Sequence, residues 1–210
     1  MKEYSFGIDK WQVESIFSPI RNKEQVIDLL MTSLKIMLID EELGTKHVIG
    51  EVRLVVSKMS RLFFFSEDKY FSINFPFTVN EENEQLKFSS KEGIEVDNII
   101  ISEIISVIQP SNSHISTCVY EFTDPIMKIS EIKDGFWPLV LSLLMFEDGY
   151  IRYDYDIRNA SPCGKLHPVN HYDIFYSSGA TFKIGLENRI RAENIVDFLS
   201  IESECHFISP

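Results

Sequence analysis

From Ile151 to Ile157 the chain reads Ile151-Arg152-Tyr153-Asp154-Tyr155-Asp156-Ile157, with apolar and charged residues in strict alternation. Side chains two apart share one face of a strand. The pattern therefore predicts a strand with Arg152, Asp154 and Asp156 on one face and Ile151, Tyr153 and Tyr155 on the other. Residues 169–176 and 180–186 read as two further strands around Ser178-Gly179. If the first two of these strands are antiparallel neighbours, His167 falls near Asp156 at the loop mouth. His171 then lies further along, near Asp154 or Arg152.

Working outward, His47–Ser57, Arg61–Ser66, Tyr70–Thr78 and Gln85–Ser89 are short runs rich in Val, Ile and Phe. Polar clusters separate them, among them Ser66-Glu67-Asp68 and Asn80-Glu81-Glu82-Asn83. This predicts a β-meander, with Pro76 ending a strand or marking an edge. Asn22–Leu43 has helical spacing, Asn22 as its cap and Gly44 as its stop. Asp97–Ile108 reads as a helix capped by Asp97, and His114–Phe122 as a strand. Glu147-Asp148-Gly149 lies between the apolar run Phe136–Phe146 and the strand at 150–157, which predicts a hairpin. Arg191–Ile201 closes the chain as a helix with Ile195, Val196, Phe198 and Leu199 inward. The expected fold is α+β: a single domain over 1–210, its mostly antiparallel sheet packed with a long N-terminal helix and a C-terminal helix.

Composition narrows the function classes. A chain of 210 residues can bury about 70% of its unfolded surface in one core. Sixteen Phe and 12% aromatics favour a sheet-containing core. The net charge of −12 provides no general attraction for phosphate backbones or anionic membranes. It argues against a dedicated nucleic-acid binder and allows an acidic face that docks on a protein partner. Cys118, Cys163 and Cys205 form no Cys-x-x-Cys pair, so a reducing, cytoplasmic setting is expected. The N-terminus lacks the apolar run of a signal peptide, and no stretch approaches the ~20 apolar residues of a membrane span. There is neither a Gly-x-Gly-x-x-Gly nor a Walker sequence, which argues against nucleotide cofactors. Cys163, near Lys165 and His167, has no oxyanion-hole signal to make it a nucleophile.

The chemistry therefore concentrates on Asp154, Asp156, His167 and His171. Two carboxylates and two imidazoles on one face can ligate a divalent ion of the zinc or manganese type, or act as acid and base without one. Arg152 and Lys183 are the candidate substrate contacts, suited to phosphate. The same residues can equally form a structural network that holds the hairpin in register. Spacing decides between the two. Pro168 disfavours a helix through His167 and His171, and an extended chain separates them by about 13 Å. One ion can reach both only if the chain bends at Pro168.

This segment resembles a family of bacterial proteins classed only as a domain of unknown function. Its members carry Arg-x-Asp-Tyr-Asp-Pro-x-Asn, then His-Pro-x-x-His, then a basic-apolar strand and a closing helix. Here the positions read Arg152-Tyr153-Asp154-Tyr155-Asp156-Ile157-Arg158-Asn159, His167-Pro168-Val169-Asn170-His171 and Phe182-Lys183-Ile184-Gly185-Leu186. The resemblance covers roughly the last seventy residues. Ile157 stands for the usual proline and Lys183 for the usual arginine. It implies a bacterial, cytoplasmic protein of the kind that travels with antiphage or toxin–antitoxin operons, and no particular reaction.

Two functions follow. The preferred one is a non-catalytic, acidic binding or regulatory subunit of a bacterial conflict system. The alternative is a metal-dependent hydrolase or nuclease using Asp154, Asp156, His167 and His171.

Overall fold

The structure is a computed structural model that describes residues 1–39, 47–83, 85–108, 119–157, 165–175 and 182–207, with only the backbone described at 119–122. In chain order the elements are β1 (Lys2–Ile8), α1 (Lys10–Ile16), α2 (Lys23–Ile39), β2 (Gly50–Val56), β3 (Arg61–Phe65), β4 (Lys69–Asn74), β5 (Thr78–Glu82) and β6 (Gln85–Ser89). There follow α3 (Asn98–Ile108), α4 (Val119–Ser130), α5 (Phe136–Met145), β7 (Ile151–Tyr155), β8 (Asn170–Ile174), β9 (Phe182–Leu186) and α6 (Ala192–Phe198). The expected α+β fold with an antiparallel sheet is what forms.

The chain divides into two compact units. The first comprises Met1–Pro19, Glu42–Phe75 and Asp148–Pro210. It holds a seven-stranded sheet in the order β1-β2-β3-β4-β7-β8-β9, antiparallel at every pairing. All five residues of β3 are buried, so apolar side chains are covered on both faces of the sheet at that strand. On one face Val55, Phe63, Phe65, Ile151, Tyr153 and Tyr172 form a core with Ile195 of α6. Phe198 of α6 stacks on Tyr172 with ring centroids 5.4 Å apart. Burying aromatic and aliphatic side chains of this size stabilises by about 1.5–3 kcal/mol each. The expectation passed over β1, although Tyr4, Phe6 and Ile8 alternate with polar neighbours there. At the following helix, Asp9 caps α1 through a reciprocal pair with Gln12.

The second unit, Ile20–Glu41 and Pro76–Glu147, holds α2, the β5–β6 hairpin and α3 to α5. Asp97 caps α3 as expected, its Oδ1 accepting from the amides of Ile99 and Ile100 at 2.9 and 2.8 Å. Ile100, Ile101, Ile104 and Ile108 are buried on one side of α3. Helical packing thus overrides the strand preference of β-branched residues.

Three expectations in this unit need correction. The polar cluster at Asn80–Asn83 is not a simple turn, because residues as far as Glu82 pair with β6. The expected strand His114–Phe122 is helical from Val119 onward, and its residues 114–118 lie outside the described residues. Finally, Phe136–Met145 is a helix and not a hairpin arm. Its buried residues Phe136, Leu139, Val140 and Leu143 recur at three- and four-residue spacing, a period that only a helix brings to one side. Gly149 does turn the chain, at φ +54°, where a Cβ would lie 2.7 Å from the Asn74 side chain. The turn delivers the chain to β4, with the Asn74 amide donating to Asp148 O at 2.8 Å.

Candidate functional site

Three strands at one end of the large sheet build the site. In the register, Arg152 faces Asp173 and Asp154 faces His171 across β7 and β8. Asp173 faces Lys183 and His171 faces Gly185 across β8 and β9. Because the side chains alternate, Arg152, Asp154, His171, Asp173 and Lys183 share one face, opposite the Tyr153–Tyr172 core.

Arg152 joins the two carboxylates. Its Nε donates to Asp154 Oδ2 at 2.9 Å and its Nη2 to Asp173 Oδ2 at 2.5 Å. Lys183 Nζ donates to Asp173 Oδ1 at 2.7 Å and lies 2.9 Å from His171 Nε2. An ammonium group has only donors, so Nε2 of His171 is the acceptor. The ring proton therefore sits on Nδ1 and is donated to Pro168 O at 2.8 Å. His171 is a neutral imidazole of one fixed tautomer, with its bare nitrogen turned into the cluster. Burial, followed by the Lys183 charge, lowers its pKa from the ordinary 6.5. Burial also works against the charge of Arg152, but Tyr150, Asp154 and Asp173 outweigh it and raise the pKa.

Asp154, His171 and Asp173 are 5%, 0% and 1% exposed, so these groups meet few water molecules. Four formal charges remain, two of each sign, and they sum to zero. One polar atom is left over: Asp154 Oδ1 is buried and has no hydrogen-bond partner. Such an atom normally costs about 1–3 kcal/mol.

The chain does bend at Pro168. Pro168 folds back so closely that a Cβ on Gly185 would lie 3.0 Å from Pro168 Cγ. The rings of His167 and His171 come within 4.7 Å, edge to face. The four expected residues nevertheless separate into two pairs. His167 Nε2 lies 3.4 Å from Asp156 Oδ2, at the half-exposed margin. His171 Nε2 lies 3.7 Å from Asp154 Oδ2, in the interior.

Among the described residues, the group that could hold a metal ion is Asp154, His171 and Asp173, whose ligand atoms all lie within 4.8 Å of one another. Asp156 and His167, expected as ligands, are not in it. Asp173 was missed, although it follows His171 by two residues and so shares its face. Lys183, expected as a phosphate contact, lies against Asp173 and His171. Cys163 lies outside the described residues.

No protein-family model, curated protein or solved structure matches this chain. No described helix is long and apolar enough to cross a membrane.

Proposed function

We propose that the protein is a metal-dependent hydrolase of phosphoesters, with Asp154, His171 and Asp173 as the metal ligands. One observation carries this reading. Asp154 Oδ1 is a buried carboxylate oxygen without a partner, and Asp154 stands directly opposite His171, whose unprotonated Nε2 faces Lys183 Nζ. Left without a partner that oxygen is costly, and a cation would supply one. His171 Nε2 stands 3.7 Å from Asp154 Oδ2 and 3.9 Å from Asp173 Oδ1. Ligands around a tetrahedral zinc lie about 3.4 Å apart, given bonds of about 2.0–2.2 Å, and the three ligand atoms here lie within 4.8 Å of one another, so an ion would draw them closer together. The Nδ1–H bond to Pro168 O is the outer contact that fixes a metal-binding histidine. A bound ion would polarise the ester and lower the pKa of a water molecule. Arg152, a quarter exposed, supplies the cation that faces phosphate.

The test is metal content followed by hydrolysis of bis(p-nitrophenyl) phosphate. Chelator-stripped protein reloaded with zinc or manganese should retain about one ion per chain after desalting. Asp154→Asn should lose both the ion and the activity. Wild-type protein that retains no ion sinks the reading.

A second reading, an acidic binding subunit of an antiphage or toxin–antitoxin system, is favoured by the charge balance. Arg152 and Lys183 neutralise Asp154 and Asp173 one for one, and the remaining net charge of −12 suits a basic protein partner. On this reading Asp154→Asn loses thermal stability alone, and the protein leaves its native host in a stoichiometric complex. A lone monomer in the native host counts against it.

A further inference from the structure

Resting on the metal-centre reading above, we propose that Lys183 is the internal counter-cation of this centre and that a divalent ion enters by exchange for its ammonium group. Lys183 Nζ already contacts two of the three ligand residues, at 2.7 Å from Asp173 Oδ1 and 2.9 Å from His171 Nε2. It occupies the lone pair of His171 that a metal needs. An ion and the ammonium cannot use that lone pair together.

Charge leads to the same conclusion. Asp154 and Asp173 together carry two negative charges, matched by Arg152 and Lys183. A divalent ion added to the intact set leaves two uncompensated positive charges among buried groups, an expensive state. Release of one cation halves that excess. Arg152 is bonded to both carboxylates, and its rigid fork makes it the fixed member. Lys183 is on β9, the end strand of the sheet, with 27% of its side chain exposed. Its four-carbon stem lets the ammonium swing into water without moving the strand. The released amine then stands at the mouth of the loaded centre, where an anionic substrate would meet it.

The experiment measures zinc alone against the full chain in two ways. In calorimetric titration, Lys183→Met keeps the stem and removes the competitor, so zinc should bind roughly tenfold or more tightly than to wild type, within the ordinary range for coupled sites. In wild type, zinc loading should raise the rate of Lys183 acetylation several-fold relative to Lys10, whose side chain is 74% exposed, read by peptide mass spectrometry. The second measurement needs no variant, so it stands even if Lys183→Met does not fold. Zinc that binds both proteins equally, with Lys183 acetylation unchanged, overturns the exchange and leaves the metal centre standing. Zinc that binds neither protein removes the metal centre, and the exchange with it.

Discussion

The two faces of β7 are alike in burial and opposite in chemistry. Ile151 and Tyr153 pack into an aromatic core beneath α6. Arg152 and Asp154, one residue away, belong to a network of charges. The apolar face is stabilised by area, and it tolerates imperfect geometry. The ionic face depends on partners being present, because each buried charge is expensive alone. The same strand therefore carries one surface that fails gradually and one that fails as a unit.

Paired substitutions test this contrast most severely. Asp173→Ala leaves both Arg152 and Lys183 without their shared carboxylate and should cost about 3–5 kcal/mol. Tyr153→Ala should cost a similar ~3–5 kcal/mol through loss of packing. Adding Lys183→Met should recover part of the Asp173→Ala loss and none of the Tyr153→Ala loss, as read by urea unfolding. Equal behaviour of the two double variants would erase the distinction between the faces.

Gly185→Ala comes next. Its new Cβ presses on Pro168 at 3.0 Å, which should cost about 1–3 kcal/mol. It should also weaken zinc retention, because Pro168 O holds the His171 ring. If the variant loses stability and keeps full zinc affinity, the bend does not serve the site.

Acid should expose the ionic face alone. The pKa of His171 is lower in the folded protein than its ordinary 6.5, so below about that pH the unfolded chain binds the proton more readily. The contribution is complete above 6.5, falls as pH drops through the folded pKa, and changes by no more than about 1.4 kcal/mol per pH unit for one group. Thermal melts of wild type and His171→Asn between pH 7.5 and 5 should diverge in slope; parallel curves would exclude His171 as the source.

The smallest effect belongs to the margin. His167 and Asp156 are 30% and 25% exposed and 3.4 Å apart. His167→Ala should cost no more than about 1 kcal/mol, with zinc retention intact. A loss of several kcal/mol would move His167 into the interior network.

Much of the site was legible because period two is a strong constraint. Arg152 and Asp154 had to share a face, and a neighbouring strand carrying His171 had to bring it close. Asp173 followed from the same rule, but a single aspartate in Asn170–Ile174 lacks the density that drew notice to 152–156. The bend at Pro168 was not legible. Proline fixes its own φ and not the path of the chain around it, and here Gly185, on another strand, makes room for that path. The hairpin expected at 136–157 failed for another reason. A ten-residue apolar run fits a buried helix or a strand, and the Asp-Gly turn lies equally well between a helix and a strand.

The position of β7 beside β4 has a consequence in time. Ser72 pairs with Ile151, roughly eighty residues further along the chain, with α3 to α5 in between. During synthesis at about 5–20 residues per second, β1 to β4 emerge several seconds before the strand that completes them. For that interval β4 is an open edge carrying Phe71 and Ile73, the kind of edge that invites pairing with another nascent chain. The charged strands arrive last, and their arrival closes that edge.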